Sequence, residues 1–350
     1  MSVSALHPSP PPAPRVLVIR RRYLGDIVLL GPVFRNLRLH WPAAEITALT
    51  ELPYAGVLAL NPDVTRALTF PQRLRHWPAF LRTLRAARFT HVLDFDNTEK
   101  TAALTRLTGA AQRVAFDREL ITFRWPGCYT HAARVTNAFY DSHGITETYL
   151  QLLPALGIVP VSREVRLVPR AADLAAARKL APRGGKKILV HPGSRSAHRV
   201  WPADRFAAVC DRLQDELQAQ IFLVGGPAEQ ALVQEIRSRA QSHLVALDRP
   251  LPVGEFAALA AQFDVFLCHD SGPMHVAAAV GTPVVALFGS QNATIWRPHG
   301  DRHTVLQTPL PCACLGDAAP TPCVKGDGYR SYCVRLLTVD QVFAAVAAKL

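Results

Sequence analysis

The sequence predicts an α/β protein of two lobes, each built on a parallel sheet that is covered by helices on both faces. Short buried strand patterns alternate with helical patterns, and the alternation stops and then restarts near the middle of the chain. The 350 residues, 49% hydrophobic and 19% charged, suffice for two apolar cores. Ligands of such sheets bind at the carboxyl ends of the strands, so we expect a site in the cleft between the lobes.

Strand and helix patterns follow each other closely in both halves. Short β-branched runs bounded by turn residues predict strands at residues 15–20, 45–49, 91–95, 112–116, 187–190, 221–224, 244–247, 264–268 and 283–288. Apolar residues at helical spacing predict helices at residues 26–39, from 100 onward, and at 202–217, 227–240, 273–280 and 338–350.

Composition along the chain suggests where the lobes divide. Residues 1–14 are proline-rich and lack the pattern of a signal peptide, which predicts a disordered leader. A proline- and glycine-containing stretch at about 161–185 separates the lobes. We therefore expect a first lobe at 15–175, a second lobe at 185–335 and a terminal helix within 336–350.

The charge of the chain points to an anionic partner. Lys and Arg exceed Asp and Glu, 39 against 27, which gives a formal net charge of +12. No zinc-finger, homeodomain or RNA-recognition motif is present, so a nucleic acid is not the expected partner. No apolar run reaches the 18 residues of a membrane span. We expect a cytoplasmic protein.

The turn after the first predicted strand carries Gly25 and Asp26. Gly25 allows the backbone to turn tightly, and Asp26 lies where the next helix starts. Two interpretations are equally supported: Asp26 caps the helix, or its carboxylate acts as a general base at the mouth of the cleft.

Two further turns between a strand and a helix suit a nucleotide diphosphate and ribose. Ser194, Arg195 and Arg199 offer a hydroxyl and two guanidinium groups to phosphate, although a solvated basic loop would have the same composition. Gly225 and Gly226 permit close approach of a ligand in the other turn. Glu229 beyond them either accepts hydrogen bonds from a ribose or favours the first turn of its helix.

The run from residue 269 to 275 is the most specific motif in the chain. Pro273 suits the first position of a helix, so the backbone N–H groups of Ser271 and Gly272 would face the cleft and bind a pyrophosphate. Helix capping would explain Asp270 and Ser271 alone, but not the whole run. His275 could face the ligand or lie in the core.

Four cysteines lie close together near the C-terminus, and three others are scattered. Four thiols suffice for a tetrahedral zinc or iron site, but the spacing lacks a paired CxxC motif, so loose thiols are the alternative. The four are Cys312, Cys314, Cys323 and Cys333. We expect the scattered Cys128, Cys210 and Cys268 to be small core residues.

Four segments of the chain together resemble the lipopolysaccharide heptosyltransferases, which form glycosyltransferase family 9. They are GDIVLLGP from Gly25, HPGS and WP within 191–202, GGPAE at 225–229, and HDSGPMHVAAAVGTPVVALFG at 269–289. The resemblance implies a GT-B fold, two Rossmann-like lobes facing a central cleft. It implies inverting, metal-independent transfer from ADP-heptose to an acceptor such as the phosphorylated glycolipid of the lipopolysaccharide inner core. Such an acceptor would bring a basic protein to the inner membrane face.

The resemblance also assigns roles to individual residues. Asp26 matches the catalytic base, Ser194 a diphosphate contact, Glu229 the ribose contact, and Asp270, Ser271 and Gly272 the diphosphate loop. The family usually has a lysine just before Trp-Pro, where this chain has Arg199 as the nearest substitute. Asp96, at a strand end, would line the cleft and contact a sugar. Another sugar-nucleotide donor, a protein acceptor, an epimerase and a non-catalytic nucleotide-binding module are the alternatives.

Overall fold

The computed structural model describes residues 13–119, 121–181, 184–195, 199–247, 249–289, 291–307, 334 and 336–350. The four clustered cysteines and the leader up to residue 12 lie outside the described residues. Within the described part, no helix is long and apolar enough to cross a membrane.

The first lobe is built on six parallel strands in the order β3-β2-β1-β4-β5-β6, counted over the described residues. The strands are β1 (Arg15–Ile19), β2 (Glu45–Thr50), β3 (Arg66–Thr69), β4 (His91–Asp94), β5 (Gln112–Arg118) and β6 (His131–Val135). Its helices are α1 (Leu24–Leu29), α2 (Gly31–His40), α3 (Trp77–Ala86), α4 (Glu99–Leu107), α5 (Asn137–Ser142) and α6 (Ile145–Leu150).

The second lobe repeats this arrangement with the described strands in the order β12-β11-β10-β7-β8-β9. The strands are β7 (Lys187–His191), β8 (Gln220–Leu223), β9 (Val245–Ala246), β10 (Val265–His269), β11 (Val284–Phe288) and β12 (Thr304–Gln307). The helices from the linker onward are α7 (Ala171–Leu180), α8 (Ala203–Leu217), α9 (Gln230–Arg239), α10 (Val253–Ala260), α11 (Gly272–Ala279), α12 (Ala293–Trp296) and α13 (Val339–Ala347). If the strands of each lobe are numbered 1 to 6 in chain order, both sheets have the strand order 3-2-1-4-5-6 of a doubly wound fold. This order confirms the predicted fold class.

The first predicted helix differs from the expectation because it is two helices. α1 ends at Leu29 and α2 begins at Gly31. Pro32 has no backbone N–H to donate to Val28, so the helical ladder breaks there. Gly31 leaves room for the linker, since a Cβ on it would lie 3.3 Å from the Cα of Val165.

The two lobes touch where α1 of the first packs against α11 of the second. A Cβ on Gly272 would lie 2.9 Å from the Cβ of Leu24, so the helix starts meet almost at their backbones. α7, which follows the linker, packs against α10 of the second lobe. We propose that the lobes divide within the 161–185 stretch, which contains α7. α13 returns to pack on α8.

Candidate functional site

A cavity of about 1190 Å³ lies between the carboxyl ends of the two sheets. Both lobes contribute to its walls. The predicted site residues that line it are Gly25, Asp26, Ser194, Arg195, Arg199, Glu229, Asp270, Ser271, Gly272 and His275. The fold therefore brings together motifs that are separated by up to 250 residues along the chain. Asp96 does not line this cavity.

Asp26 is held in the first turn of α1 rather than at its cap. Tyr23 is the N-cap residue, and its backbone N–H donates to Oδ2 of Asp26 across 3.1 Å. The capping interpretation is thus partly right, because the carboxylate bonds to the cap backbone from the third helical position. Asp26 is 7% exposed and lines the cavity.

Two side chains that the sequence did not indicate hold the other carboxylate oxygen of Asp26. Arg20 pairs with Oδ1, and the Tyr149 hydroxyl donates to the same oxygen across 2.9 Å. Burial opposes the positive charge of Arg20, but Tyr149, Asp26 and Asp96 together raise the pKa of its guanidinium above the ordinary value. Burial raises the pKa of Tyr149 well above its ordinary value, so its hydroxyl keeps its proton. Asp26 is therefore fixed in position by two permanent donors.

Asp96 bonds to Arg20, the same side chain that pairs with Asp26. Its Oδ1 accepts from Nη1 of Arg20 at 3.1 Å, and its Oδ2 accepts the backbone N–H of Arg21 at 2.7 Å. Burial raises the pKa of Asp96 to about 6, against the opposing effect of Arg20. The fully buried Asp94 fixes the turn, since its Oδ1 accepts the N–H groups of Asp96 and Asn97. Asp96 thus holds Arg20 and does not line the cavity.

The start of α11 offers free polar groups to the cavity. Ser271 is the N-cap residue, but its side chain makes no bond to the helix backbone, and its buried Oγ has no hydrogen-bond partner. The N–H groups of Ser271 and Gly272 have no bonding partner among the described residues and can bind an anion, whereas Pro273 has no N–H and Met274 donates to the carbonyl oxygen of Ser271. This weakens the capping explanation for Ser271.

Asp270 and Arg199 form an ion pair beside this helix start. Nη1 of Arg199 lies 3.0 Å from Oδ2 of Asp270, while the buried Nε of Arg199 has no partner. Burial raises the pKa of Asp270 to about 6, opposed by Arg199 and Arg195. The Oγ of Ser194 lies 3.5 Å from the carbonyl oxygen of Asp270. Arg195 reaches across the cleft, with its guanidinium 3.8 Å from the ring centroid of Tyr23.

Glu229 is enclosed by three glycines. A Cβ on Gly193 would lie 2.1 Å from Cγ of Glu229, and a Cβ on Gly225 or Gly226 would lie 2.9 or 2.8 Å from other Glu229 atoms. Glu229 is the N-cap residue of α9 and its side chain makes no hydrogen bond to the helix, so only its charge can favour the helix start. Burial lowers the pKa of the neighbouring His191, and Glu229 opposes this shift.

His275 lies against Asp26 and Gly25 at the contact between the lobes. It is 4% exposed, and its Nδ1 has no hydrogen-bond partner. Burial lowers the pKa of His275 to about 4, although Asp26 opposes this shift. The ring is both part of the core and part of the cavity wall, so the two alternatives for this residue are not exclusive.

Metal-binding clusters are absent among the residues that the structure describes: no group of three or more His, Cys, Asp or Glu side chains could hold an ion there. The predicted cluster of Cys312, Cys314, Cys323 and Cys333 lies outside those residues. Of the scattered cysteines, Cys210 and Cys268 are fully buried, as expected for small core residues. Cys128 is only half-buried.

Comparisons with known proteins show which family and fold this chain resembles. The sequence model of glycosyltransferase family 9 (heptosyltransferase) matches residues 77–323. Lipopolysaccharide heptosyltransferase 3 of Escherichia coli (strain K12) is 29% identical over 296 residues, which span 79% of this chain and 83% of that protein.

Two solved structures from E. coli share the fold. ADP-heptose LPS heptosyltransferase II is 20% identical, with a TM-score of 0.79 over 96% of this chain and 98% of that chain. Heptosyltransferase WaaC with ADP is 17% identical, with a TM-score of 0.76 over 96% of this chain and 100% of that chain. These similarities confirm the GT-B architecture.

Proposed function

The chain belongs to glycosyltransferase family 9 (heptosyltransferase), and from this premise we propose that it transfers a heptose from ADP-heptose to the inner core of lipopolysaccharide with inversion at the anomeric carbon. One observation carries the proposal: a buried carboxylate of the first lobe and a helix start of the second lobe without a side-chain cap line the same cavity. A donor and an acceptor can therefore meet between them.

The second lobe would hold the nucleotide. Glu229, kept in place by its three glycines, would accept hydrogen bonds from the ribose hydroxyls. Apolar side chains beside it would flank the adenine; they are Val224, Pro227, Leu251, Pro252 and Phe256. The ADP named for related E. coli structures supports adenine as the base.

The diphosphate would lie at the start of α11. Its donors would be the unpartnered Ser271 hydroxyl, the backbone N–H groups of Ser271 and Gly272, and the side chains of Ser194 and Arg199. As the sugar leaves, negative charge grows on the bridging phosphate oxygen, and these fixed donors stabilise it. Arg199 supplies the charge that a lysine usually supplies in the family, with a planar fork in place of a point charge.

Asp26 would act as the general base. The acceptor hydroxyl attacks the anomeric carbon from the face opposite the diphosphate, a C–O bond forms, and the bond to the phosphate oxygen breaks with its electron pair leaving on ADP. The proton of the hydroxyl passes to Asp26. Arg20 and Tyr149 hold Oδ1, so the carboxylate keeps one orientation while it accepts this proton.

The acceptor would enter from the first lobe. Arg21 and Arg22 share Glu51 next to the cavity wall, and their charge suits a phosphorylated sugar. We place the protein in the cytoplasm, in contact with the inner membrane face where such glycolipids are made.

No step of this mechanism uses a metal ion. We propose the four C-terminal cysteines, Cys312, Cys314, Cys323 and Cys333, as a structural zinc or iron site, because four thiols are the number that a tetrahedral site requires. Metal analysis of the purified protein and of a variant lacking these thiols tests this assignment.

An Asp26→Asn variant tests the transfer mechanism. It should bind ADP as the wild type does in calorimetry, but release ADP from ADP-heptose and a truncated inner-core acceptor about 10²–10⁴-fold more slowly. Asp141→Asn, a change of the same kind at an exposed site, is the control. Full activity in Asp26→Asn would remove this residue as the base. Absence of adenine-nucleotide binding in the wild type would overturn the donor assignment.

A further inference from the structure

The segment from residue 64 to 93 has six arginines and no acidic residue. Five of these arginines lie between residues 73 and 88, in α3 and the turns on either side of it. We propose that the surface of residues 73–88, here termed the arginine surface, docks the protein onto an anionic lipid bilayer. The nucleotide site and the donor chemistry take no part in this contact.

α3 divides its residues between two faces. Trp77, Phe80, Leu81 and Leu84 pack against the core beneath the first sheet, so this apolar face is already covered. Arg82 and Arg85 point away from it and are exposed, as are Arg73, Arg75 and Arg88. The helix is therefore fixed to the lobe and presents charge outward, unlike a helix that inserts into lipid.

The charges of the arginine surface are not neutralised by the protein. Arg21 and Arg22 share the carboxylate of Glu51, whereas no carboxylate of the described residues lies within ion-pair distance of the five arginines. Clusters of four to eight basic residues of this kind attract anionic lipid headgroups. The charge of the cluster therefore favours an anionic partner.

Leu74 distinguishes a bilayer from a nucleic acid as that partner. Its side chain is 88% exposed, and Arg73 and Arg75 flank it in a short 3₁₀ turn. A leucine held in water between two arginines gains little from a phosphate backbone. Insertion between lipid headgroups would instead bury the leucine while both guanidinium groups contact phosphates.

The arginine surface adjoins the acceptor side of the cavity. Lys100 lies over the ring of Trp77 at 4.7 Å and over that of Phe70 at 5.2 Å, and the guanidinium of Arg21 lies 5.8 Å from the Phe70 centroid. A docked molecule would thus hold the side of the cavity that the first lobe forms near the lipid headgroups. The advantage for a lipid-linked acceptor rests on the proposed function, whereas docking itself does not.

Vesicle co-sedimentation tests the proposal without any turnover. The full chain should bind vesicles of phosphatidylcholine with phosphatidylglycerol, bind pure phosphatidylcholine weakly, and lose binding as salt rises from about 0.1 M to about 0.5 M. An Arg73→Glu/Arg75→Glu variant should bind the anionic vesicles at least about tenfold more weakly. Leu74→Ser should lose about tenfold at constant charge.

Two control variants test whether vesicle binding depends on the arginine surface itself or only on the net charge and the exposed apolar side chains of the protein. Arg237→Glu/Arg239→Glu on α9 changes the net charge equally, and Val159→Ser removes a side chain that is 77% exposed. Both should bind vesicles as the wild type does. All variants should melt normally and release ADP normally with a soluble acceptor, so failure of the transferase assay would leave the vesicle result standing.

Equal loss of vesicle binding in the α9 control would overturn the proposal, because net charge alone would then explain it. Unchanged binding in both Arg73→Glu/Arg75→Glu and Leu74→Ser would do the same. Tight binding of generic RNA through these arginines, without a preference for anionic vesicles, would assign the surface to nucleic acid instead.

Discussion

Gly25 of the first lobe faces His275 of the second so closely that a Cβ on the glycine would lie 2.6 Å from Cδ2 of the imidazole. This contact joins α1, which carries Asp26, to α11, which carries the free N–H groups. Gly25→Ala should therefore shift one helix against the other. We expect a loss of about 1–3 kcal/mol in the free energy of unfolding and a slower transfer reaction.

The sign of this effect is informative, because alanine within a helix normally stabilises it by about 1 kcal/mol over glycine. Gly127→Ala is the control, since no atom lies within 4 Å of a Cβ at that position. Denaturant unfolding of Gly25→Ala, His275→Ala and the double variant measures the coupling. The double variant should recover most of the penalty, and strictly additive costs would contradict a clash between these two residues.

Tyr149 should matter for the rate of transfer and not for donor binding. Its hydroxyl bonds to Asp26, but its side chain does not line the cavity. A hydrogen bond to a charged group is worth about 1.5–3 kcal/mol, so Tyr149→Phe should lower kcat roughly 10–100-fold and leave the KM for ADP-heptose unchanged. Tyr140→Phe is the control. A raised KM with an unchanged kcat would show that Tyr149 acts on the donor instead.

The fold could be predicted where strands are buried on both faces. β1, β7, β10 and β11 each contain at least three consecutive apolar residues, and each was predicted within one or two residues. The edge strands β3, β6 and β12 were not predicted. They keep exposed or half-buried positions, so their sequences carry no continuous apolar run.

The site could be predicted only where it follows strand ends. Asp26, Ser194, Glu229 and Ser271 each lie just beyond a strand, and the topology brings them to one cavity. Tyr149 lies 123 residues from Asp26 in α6, a helix that the sequence did not predict, so only the folded chain reveals their bond. The sequence predicts Asp96 in the cleft because it follows a strand. In the structure Arg20 lines the cavity and Asp96 bonds to Arg20 without reaching the cavity.

Donor affinity should rise as the pH falls toward 6. The pKa of Asp270 is raised to about 6 by burial, so its carboxylate is charged above that pH and neutral below it. The charged form repels a diphosphate and holds Arg199, whereas the neutral form releases that guanidinium. His275, with a pKa of about 4, stays neutral throughout.

Calorimetry with ADP-heptose between about pH 5 and pH 8 measures this effect, since a nucleotide sugar has no phosphate that titrates there. The wild type should gain up to about tenfold in affinity at low pH. The Asp270→Asn variant should bind ADP-heptose with the same affinity at every pH in this range. Affinity that falls at low pH would mean that Arg199 needs the charged carboxylate to reach the donor.

Gly193 should be required for the ribose contact because Glu229 occupies the space of its missing side chain. A Cβ there would lie 2.1 Å from Cγ of Glu229, which must then leave its position. Gly193→Ala should weaken ADP binding at least about tenfold, since one charge-assisted hydrogen bond is worth about 1.5–3 kcal/mol. Glu229→Gln should weaken it less, because the amide keeps an acceptor oxygen in place.

Isothermal titration with ADP and with pyrophosphate separates the ribose contact from the diphosphate contact. Gly193→Ala should weaken ADP binding and leave pyrophosphate binding unchanged, because Ser271 and the α11 start are not displaced. Gly144→Ala, where a Cβ would have only ordinary contacts at 3.7 Å, is the control. Equal weakening of both ligands would instead mean that Gly193 supports the phosphate loop as a whole, and Glu229 would lose its place beside the ribose.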